Sequence, residues 1–260
     1  MTTTMMTTKS QALRAPSLRR GACALAVACL LAGCATGPDA NPRDPFEPYN
    51  RGMTRFNDKV DDVLLRPVAT AYTEVTPRLV RTGVSNFFAN LGDLWSFVNN
   101  ALQLRGEGAL NSIARFSANT VFGIGGLFDV ATEMRIERSK QDFGLTLGRW
   151  GVPTGPYLVL PFLGPSTVRD TVALPVDAKG NLITYVDPVS DRNALYALSA
   201  VNTRANLLRA SSVLDSAALD KYSFTRDAYL QVRSQAVQTD RRSEERYDQD
   251  AGKLPEEPKP

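Results

Sequence analysis

Residues 149–169 read RWGVPTGPYLVLPFLGPSTVR. Between Arg149 and Arg169 lie nineteen residues without a charge, and seven of the sixteen from Gly151 to Ser166 are Gly or Pro. Gly151, Pro153, Gly155, Pro156, Pro161, Gly164 and Pro165 break the stretch, while Tyr157, Leu158, Val159, Leu160, Phe162 and Leu163 fill the space between. Proline removes a backbone donor and crowds the preceding turn, so neither a continuous helix nor a central strand fits. Loops are usually polar because exposed backbone prefers water. At membrane depth such backbone is tolerated only where protein buries it or where it lines a wet cavity. The stretch therefore reads as a structured apolar hairpin lining a passage. The alternative is a rigid hydrophobic turn inside a soluble core.

Helical signals surround it. Pro45 opens a periodic stretch with apolar residues at Phe46, Tyr49, Met53, Phe56, Val60 and Val63 or Leu64, in steps of three and four. Charges fill the other positions, which is the pattern of an amphipathic helix able to lie at a membrane interface or to cover a core. Arg66-Pro67 starts a second helix through Val75, and Pro77 starts a third. From Thr82 to Leu104 the only charge is Asp93. Val84, Phe87, Phe88, Leu91, Leu94, Trp95, Val98 and Leu102 make one wide apolar face. Ser85, Asn86, Asn90, Ser96, Asn99, Asn100 and Gln103 make the other. A helix showing amides instead of charges is buried on both sides, or has lipid on one side and a polar cavity on the other. Gly108–Val121 reads as helical and is ended by the GIGG of Gly123–Gly126. Thr167–Leu174 reads as a short helix broken at Pro175, followed by helices from about Ser190 to Arg209 and from about Phe224 to Val237. No run of alternating strands stands out. The fold class is mainly α, with residues 45–237 as one domain and 238–260 as a charged, Pro-containing tail expected to be disordered.

The composition excludes much. Among 260 residues there is no His, so no Ser-His-Asp triad, Cys-His dyad or His-based zinc site is available. Gly83-Val84-Ser85-Asn86-Phe87 and Gly164-Pro165-Ser166-Thr167-Val168 both lack the final Gly of a nucleophile elbow. GIGG is not followed by Lys-Ser/Thr and is not a phosphate loop. Asp58, Asp61 and Asp62 share a helix face and read as a solvated acidic surface, not a metal site. No enzymatic activity, cofactor or metal is expected.

The formal charge of +3 belongs to the N-terminus. Residues 1–33 carry Lys9, Arg14, Arg19 and Arg20 and no acid, which leaves 26 bases against 27 acids elsewhere, a net of −1. That balance, without a basic stripe, predicts no nucleic-acid partner. A basic start, the apolar run Gly21–Leu31 and then Leu31-Ala32-Gly33-Cys34 form a secretory signal. The run is too short to span a membrane comfortably. Leu-Ala-Gly-Cys looks like a bacterial lipobox, with cleavage after residue 33 and Cys34 acylated as the lipid anchor. Residues 34–44 are the tether. Cys23 and Cys29 leave with the signal, so no disulfide is expected. Ala35, in place of Asp, after Cys34 resembles an outer-membrane address.

The physical parts that remain are an anchor, an interfacial helix, an uncharged helix and an apolar broken loop. Together they suit an amphiphile, whose chains need an apolar route and whose head needs a polar one. Amides supply the polar route without a fixed charge that would trap the head. The chain in fact resembles the MlaA/VacJ lipoproteins. The resembling stretches are DPFEPYNRGMTRFND (Asp44–Asp58), RPVATAY (Arg66–Tyr72), SNFFANLGDLWSFVNNALQ (Ser85–Gln103), RFSANTVFGIGGLFDVA (Arg115–Ala131) and FGLTLGRWGVPTGPYLVLPFLGPSTVRD (Phe143–Asp170).

The resemblance implies a single ring-like helical domain embedded in one membrane leaflet, the inner leaflet of the outer membrane, around an amphipathic channel. It implies removal of misplaced phospholipids from the outer leaflet, hand-over to an MlaC-like periplasmic lipid carrier, and association with a trimeric porin. By position, Phe56 and Asn57 fall where the family carries an Asn/Phe cluster tied to channel gating; this chain has Arg55-Phe56-Asn57-Asp58 there in place of a repeated Asn-Phe. Gly148, Trp150, Gly155, Pro156, Tyr157, Leu160, Pro161, Phe162, Gly164, Arg169 and Asp170 fall in the block that shapes the channel. Two other readings compete: an adaptor lipoprotein without a conduit, and a lipid hydrolase. The absent His and elbow weigh against the hydrolase, and the nineteen uncharged residues against the adaptor.

Overall fold

The structure, a computed structural model, describes residue 41 and residues 43–250. The signal segment, Cys34 and most of the tether lie outside the described residues, as do residues 251–260.

Helix α1 (Glu47–Val60) starts where expected, with Pro48 in its first turn and Glu47 at its positive end. It does not stop at the next prolyl signal. A five-residue π-helical segment, Asp61–Leu65, carries the chain straight into α2 (Arg66–Val75), where Pro67 again occupies the first turn and needs no donor. Pro77 precedes the 25-residue α3 (Arg78–Leu102). A turn at Leu104 reverses the chain into α4 (Gly106–Val121), which packs along α3. The GIGG segment caps α4 with left-handed residues: Gly125 and Gly126 have φ of +68° and +92°, and their N–H groups bond the carbonyls of Thr120 and Asn119. Short helices α5 (Val130–Glu133) and α6 (Phe143–Arg149) follow, each capped by an Asp side chain, Asp129 and Asp142.

The uncharged stretch is a two-stranded antiparallel hairpin, β1 (Tyr157–Leu160) and β2 (Gly164–Thr167), with Tyr157 opposite Thr167 and Leu160 opposite Gly164. Pro165 is tolerated because β2 has an open edge. Helix α7 (Val168–Gly180) contains Pro175 where a break was expected. Proline leaves the carbonyl of Thr171 without its helical donor. The Thr167 cap on Asp170 N–H and the packing of α7 against α6 keep the helix continuous. Helix α8 (Val189–Ala217) packs on α2 and α3, and α9 (Lys221–Asp250) crosses α6 and β2. Both are longer than their periodicity suggested. In particular, residues 238–250 are helical where a disordered tail was expected. No Gly or Pro interrupts 221–250, so nothing within that span breaks the helix.

Burial is inverted relative to a water-soluble domain. Among the described residues, nineteen polar or charged residues are buried against ten hydrophobic ones, and five of those ten are alanine. The amide face of α3 points inward. Asn99 Oδ1 accepts from Thr146 Oγ1 at 2.8 Å, Gln103 Nε2 donates to the same hydroxyl at 2.8 Å, and Asn100 Nδ2 donates to Ser112 and to the carbonyl of Ser96. Large apolar side chains face out instead, among them Val63, Leu79, Leu104, Leu110, Phe122, Ile124, Phe162 and Leu163. Large apolar side chains exposed in this number, among exposed charges such as Arg55, Lys59 and Glu74, suit contact with lipid or protein. No helix among the described residues is long and apolar enough to cross a membrane.

Candidate functional site

The hairpin is held by side-chain amides of α1. A primary amide presents one donor pair and one acceptor, so it can pair with a strand edge as another strand would. Asn50, buried, donates to Tyr157 O at 3.1 Å and accepts from Val159 N–H at 2.8 Å. Two helical turns on, Asn57 donates to Leu160 O at 2.9 Å and accepts from Phe162 N–H at 2.8 Å. Phe56 meets Phe162 edge to face, with ring centroids 5.3 Å apart. Phe162 sits at φ +63°, a costly left-handed conformation for an aromatic residue, and the Asn57 bond helps to hold it.

Asp44 completes the clamp. It is buried and accepts from Asn50 Nδ2 at 2.8 Å, from the Tyr222 hydroxyl and from Arg226 at 3.2 Å. Asp44 therefore belongs to the folded domain, where the sequence reading assigned it to the tether. Burial, and secondarily the Asp44 carboxylate, push the Tyr157 hydroxyl up to about 12, so it stays neutral.

Between the hairpin, α1 and the α8–α9 junction lies a cavity of about 620 Å³. One wall is apolar: Val159, Phe162 and Leu163 of the hairpin, Leu207 and Leu214 of α8, and Phe224 of α9. The cavity's ionic lining, partly on the same helices, is Asp58, Asp61, Arg66, Arg204 and Lys221. The volume falls in the usual range of ligand sites, ~300–1,000 Å³. Of the three acids of α1 and its π segment, Asp58 and Asp62 are about half exposed, as a solvated face would be, but all three are ion-paired. Asp61 takes both Nε and Nη2 of Arg204 at 2.6 and 2.7 Å, Asp62 pairs with Arg66, and Asp58 with Lys221. The π segment turns Asp61 toward α8 while Val63 and Leu64 stay exposed. Among the described residues no cluster fits a metal ion.

Beneath the hairpin's return strand sits a buried ionic node. Arg169 pairs with Asp170 at 3.0 Å; Arg233 of α9 joins Asp170 at 2.8 Å to Asp142 at 2.9 Å; the Tyr229 hydroxyl donates to Asp170 at 2.9 Å. Burial disfavours the Asp170 carboxylate, but hydrogen bonds and charge from Arg233, then Arg169 and Tyr229, outweigh it and hold the carboxyl below its usual value. The node needs glycines. A Cβ on Gly144 would come within 2.6 Å of Asp170 Oδ1, and one on Gly148 within 2.5 Å of Arg169 Nη1.

The structure thus gathers some of the residues singled out in the sequence and disperses others. Asn57, Tyr157, Phe162 and Gly164 line the amphipathic cavity of about 620 Å³, and Phe56 packs on its lining residue Phe162. Leu160 faces a smaller cavity of about 220 Å³ on the other side of the hairpin, shared with Asp170. Gly155 and Pro156 line a further recess of about 760 Å³ with Arg43 and α9. Pro161 is exposed at the hairpin tip. Gly148 and Arg169 are supports, and Asp170 is both a support and part of the lining of the smaller cavity. Trp150 is not among the lining residues of the amphipathic cavity, and its indole donates to Leu102 O at 3.1 Å. Asn50, Arg204, Leu207, Leu214 and Lys221 were missed, because nothing local in the sequence ties α8 or α9 to the hairpin.

The MlaA lipoprotein family model matches residues 42–236. Two relatives, from Shigella flexneri and Escherichia coli K12, are each 38% identical over 221 residues, covering 82% of this chain and 86% of theirs. Both are named intermembrane phospholipid transport system lipoprotein MlaA. A protein of Rickettsia bellii is 37% identical over 196 residues, 75% of this chain and 77% of its own. A solved structure described as the structural basis for maintenance of bacterial outer membrane lipid asymmetry superimposes with a TM-score of 0.65 at 35% identity, covering 75% of this chain and 98% of that one. A mainly helical domain with an amide-clamped hairpin, matched over this length, belongs to the MlaA lipoprotein family.

Proposed function

We propose that the chain is the lipid-anchored outer-membrane component of a phospholipid transport system, acting without catalysis. In this reading it lies as a ring-like helical domain in the periplasmic leaflet and draws misplaced phospholipids from the outer leaflet. It then passes them to a periplasmic carrier, with a trimeric porin as its membrane partner. One observation carries the reading: a cavity with an apolar lining and an ionic lining lies in a domain that buries mostly polar side chains and exposes many large apolar ones. Acyl chains fit the first lining and a head group the second. The exposed large apolar side chains suit burial in a lipid leaflet. The relatives' name and the matched structure's description support the same cargo.

A charge on the apolar wall tests the proposal. Leu207→Asp should leave the protein at the membrane but raise surface-exposed phospholipid to the level of a gene deletion. The hairpin variant Leu160→Asp should do the same from the other side. Unchanged lipid exposure in both would leave an adaptor role standing instead. Steady release of fatty acid from phospholipid by purified protein would restore the hydrolase.

A further inference from the structure

Resting on the transport reading, we infer that the ionic wall of the cavity between the hairpin and the α8–α9 junction selects phospholipids whose head group carries an ammonium beside the phosphate over lipids whose head is only negative. The wall is part of one cluster of seven charges. Asp58, Asp61, Asp62 and Asp215 face Arg66, Arg204 and Lys221, a net of −1. The cluster has no surplus cation for a head group of net negative charge.

Its pairs are also unequal. Arg204 is locked by two bonds to Asp61 at 2.6 and 2.7 Å and a third to Ser211 at 3.0 Å. Arg66 and Lys221 are held more loosely, at 3.2 Å to Asp62, 3.4 Å to Asp215, 3.5 Å to Asp58 and 3.0 Å to Asp215. These side chains are 37–50% exposed, so the pairs are weak and exchangeable. A phosphate taking Lys221 or Arg66 frees a carboxylate, Asp58 in the first case. An ammonium on the same head group then covers that carboxylate, and every charge keeps a partner. A head group without a cation leaves Asp58 facing the phosphate with nothing between. Leu207, Leu214 and Phe224 continue from this wall and take the acyl chains of whichever lipid enters. The discrimination therefore resides in the charges alone.

The test uses the purified acylated protein, incubated with vesicles of equimolar phosphatidylethanolamine and phosphatidylglycerol, re-isolated, and its bound lipid measured by mass spectrometry. Bound phosphatidylethanolamine should exceed phosphatidylglycerol by about two- to fivefold, the scale of one half-exposed ion pair. The ratio should fall toward one at high salt. Asp58→Lys raises the cluster from −1 to +1 and should invert the ratio at similar total lipid. Asp58→Asn, which keeps the shape and brings the cluster to zero, should narrow it. Wild-type protein holding both lipids in the vesicle ratio would overturn the selectivity alone. So would an Asp58→Asn protein with undiminished preference. Wild-type protein holding neither lipid would overturn the conduit as well.

Discussion

Asn50→Ala separates a structural clamp from a surface helix that merely covers the hairpin. The side chain is fully buried, and its loss leaves Tyr157 O and Val159 N–H without partners. Tyr157 and Val159 are 1% and 2% exposed, so neither group can turn to water. An unsatisfied buried backbone group costs about 1–3 kcal/mol. Two of them give about 2–6 kcal/mol, before the lost bond to Asp44 is counted. Asn57→Ala removes the same pair of bonds at the hairpin tip, but there Phe162 is well exposed and water replaces the amide. The cost should be about 1–2 kcal/mol, from two ordinary net hydrogen bonds. Denaturant or thermal unfolding in detergent measures the two totals. Amide hydrogen exchange resolves them by place: Val159 should lose protection in Asn50→Ala, and Phe162 in Asn57→Ala. If Asn50→Ala unfolds at the wild-type midpoint, or exchange at Val159 is unchanged, the amide does not serve as a strand edge and the clamp argument fails.

Gly126→Ala should destabilise by at least ~2 kcal/mol, because φ is +92° and the new Cβ would lie 2.6 Å from Asn90 Nδ2; a wild-type unfolding midpoint would contradict this. Asp170 is held below its ordinary carboxyl value, so its stabilisation is present above that value, near pH 4, and lost as pH falls through the folded one. The stability gap between wild type and Asp170→Asn should therefore be widest near neutrality and close below about pH 4. A pH-independent gap would show that shape, not charge, holds the node. Cys34→Ala should release the protein from the outer-membrane fraction on cell fractionation, and retention there would remove the anchor from the account.

The sequence showed its helix starts because proline and acidic first turns act locally. Pro67 and Pro77 mark α2 and α3 within a residue or two. Pro175 misled because the forces that carry α7 past it, the Thr167 cap and packing on α6, include one that is not local. The amide face of α3 posed a choice between cavity and burial, and only the packing of Thr146 and Gln141 against it decides. The site was half visible. The hairpin announces itself through missing charge, whereas Asn50 looks like any polar residue on an amphipathic helix until Tyr157, 107 positions away, is placed beside it. The charges beside the hairpin stayed hidden for a similar reason. Arg204 and Asp61 lie 143 residues apart, and an ion pair across that distance leaves no trace in composition.

The inward amides of α3 and the outward leucines and phenylalanines also set how the protein tolerates change. In a soluble domain, core positions resist substitution and surface positions accept it, with charge the safest surface choice. Here the map should be turned inside out. Asn99, Asn100, Gln103 and Arg115 would be the intolerant positions, since each hydrogen-bonds neighbours that have no water to fall back on. Leu79, Leu110, Phe122 and Ile124 would accept one another's side chains freely and reject only charge. Evolutionary drift in such a chain would run along its greasy outside, and a tolerance scan would recover the membrane's outline without any lipid being seen.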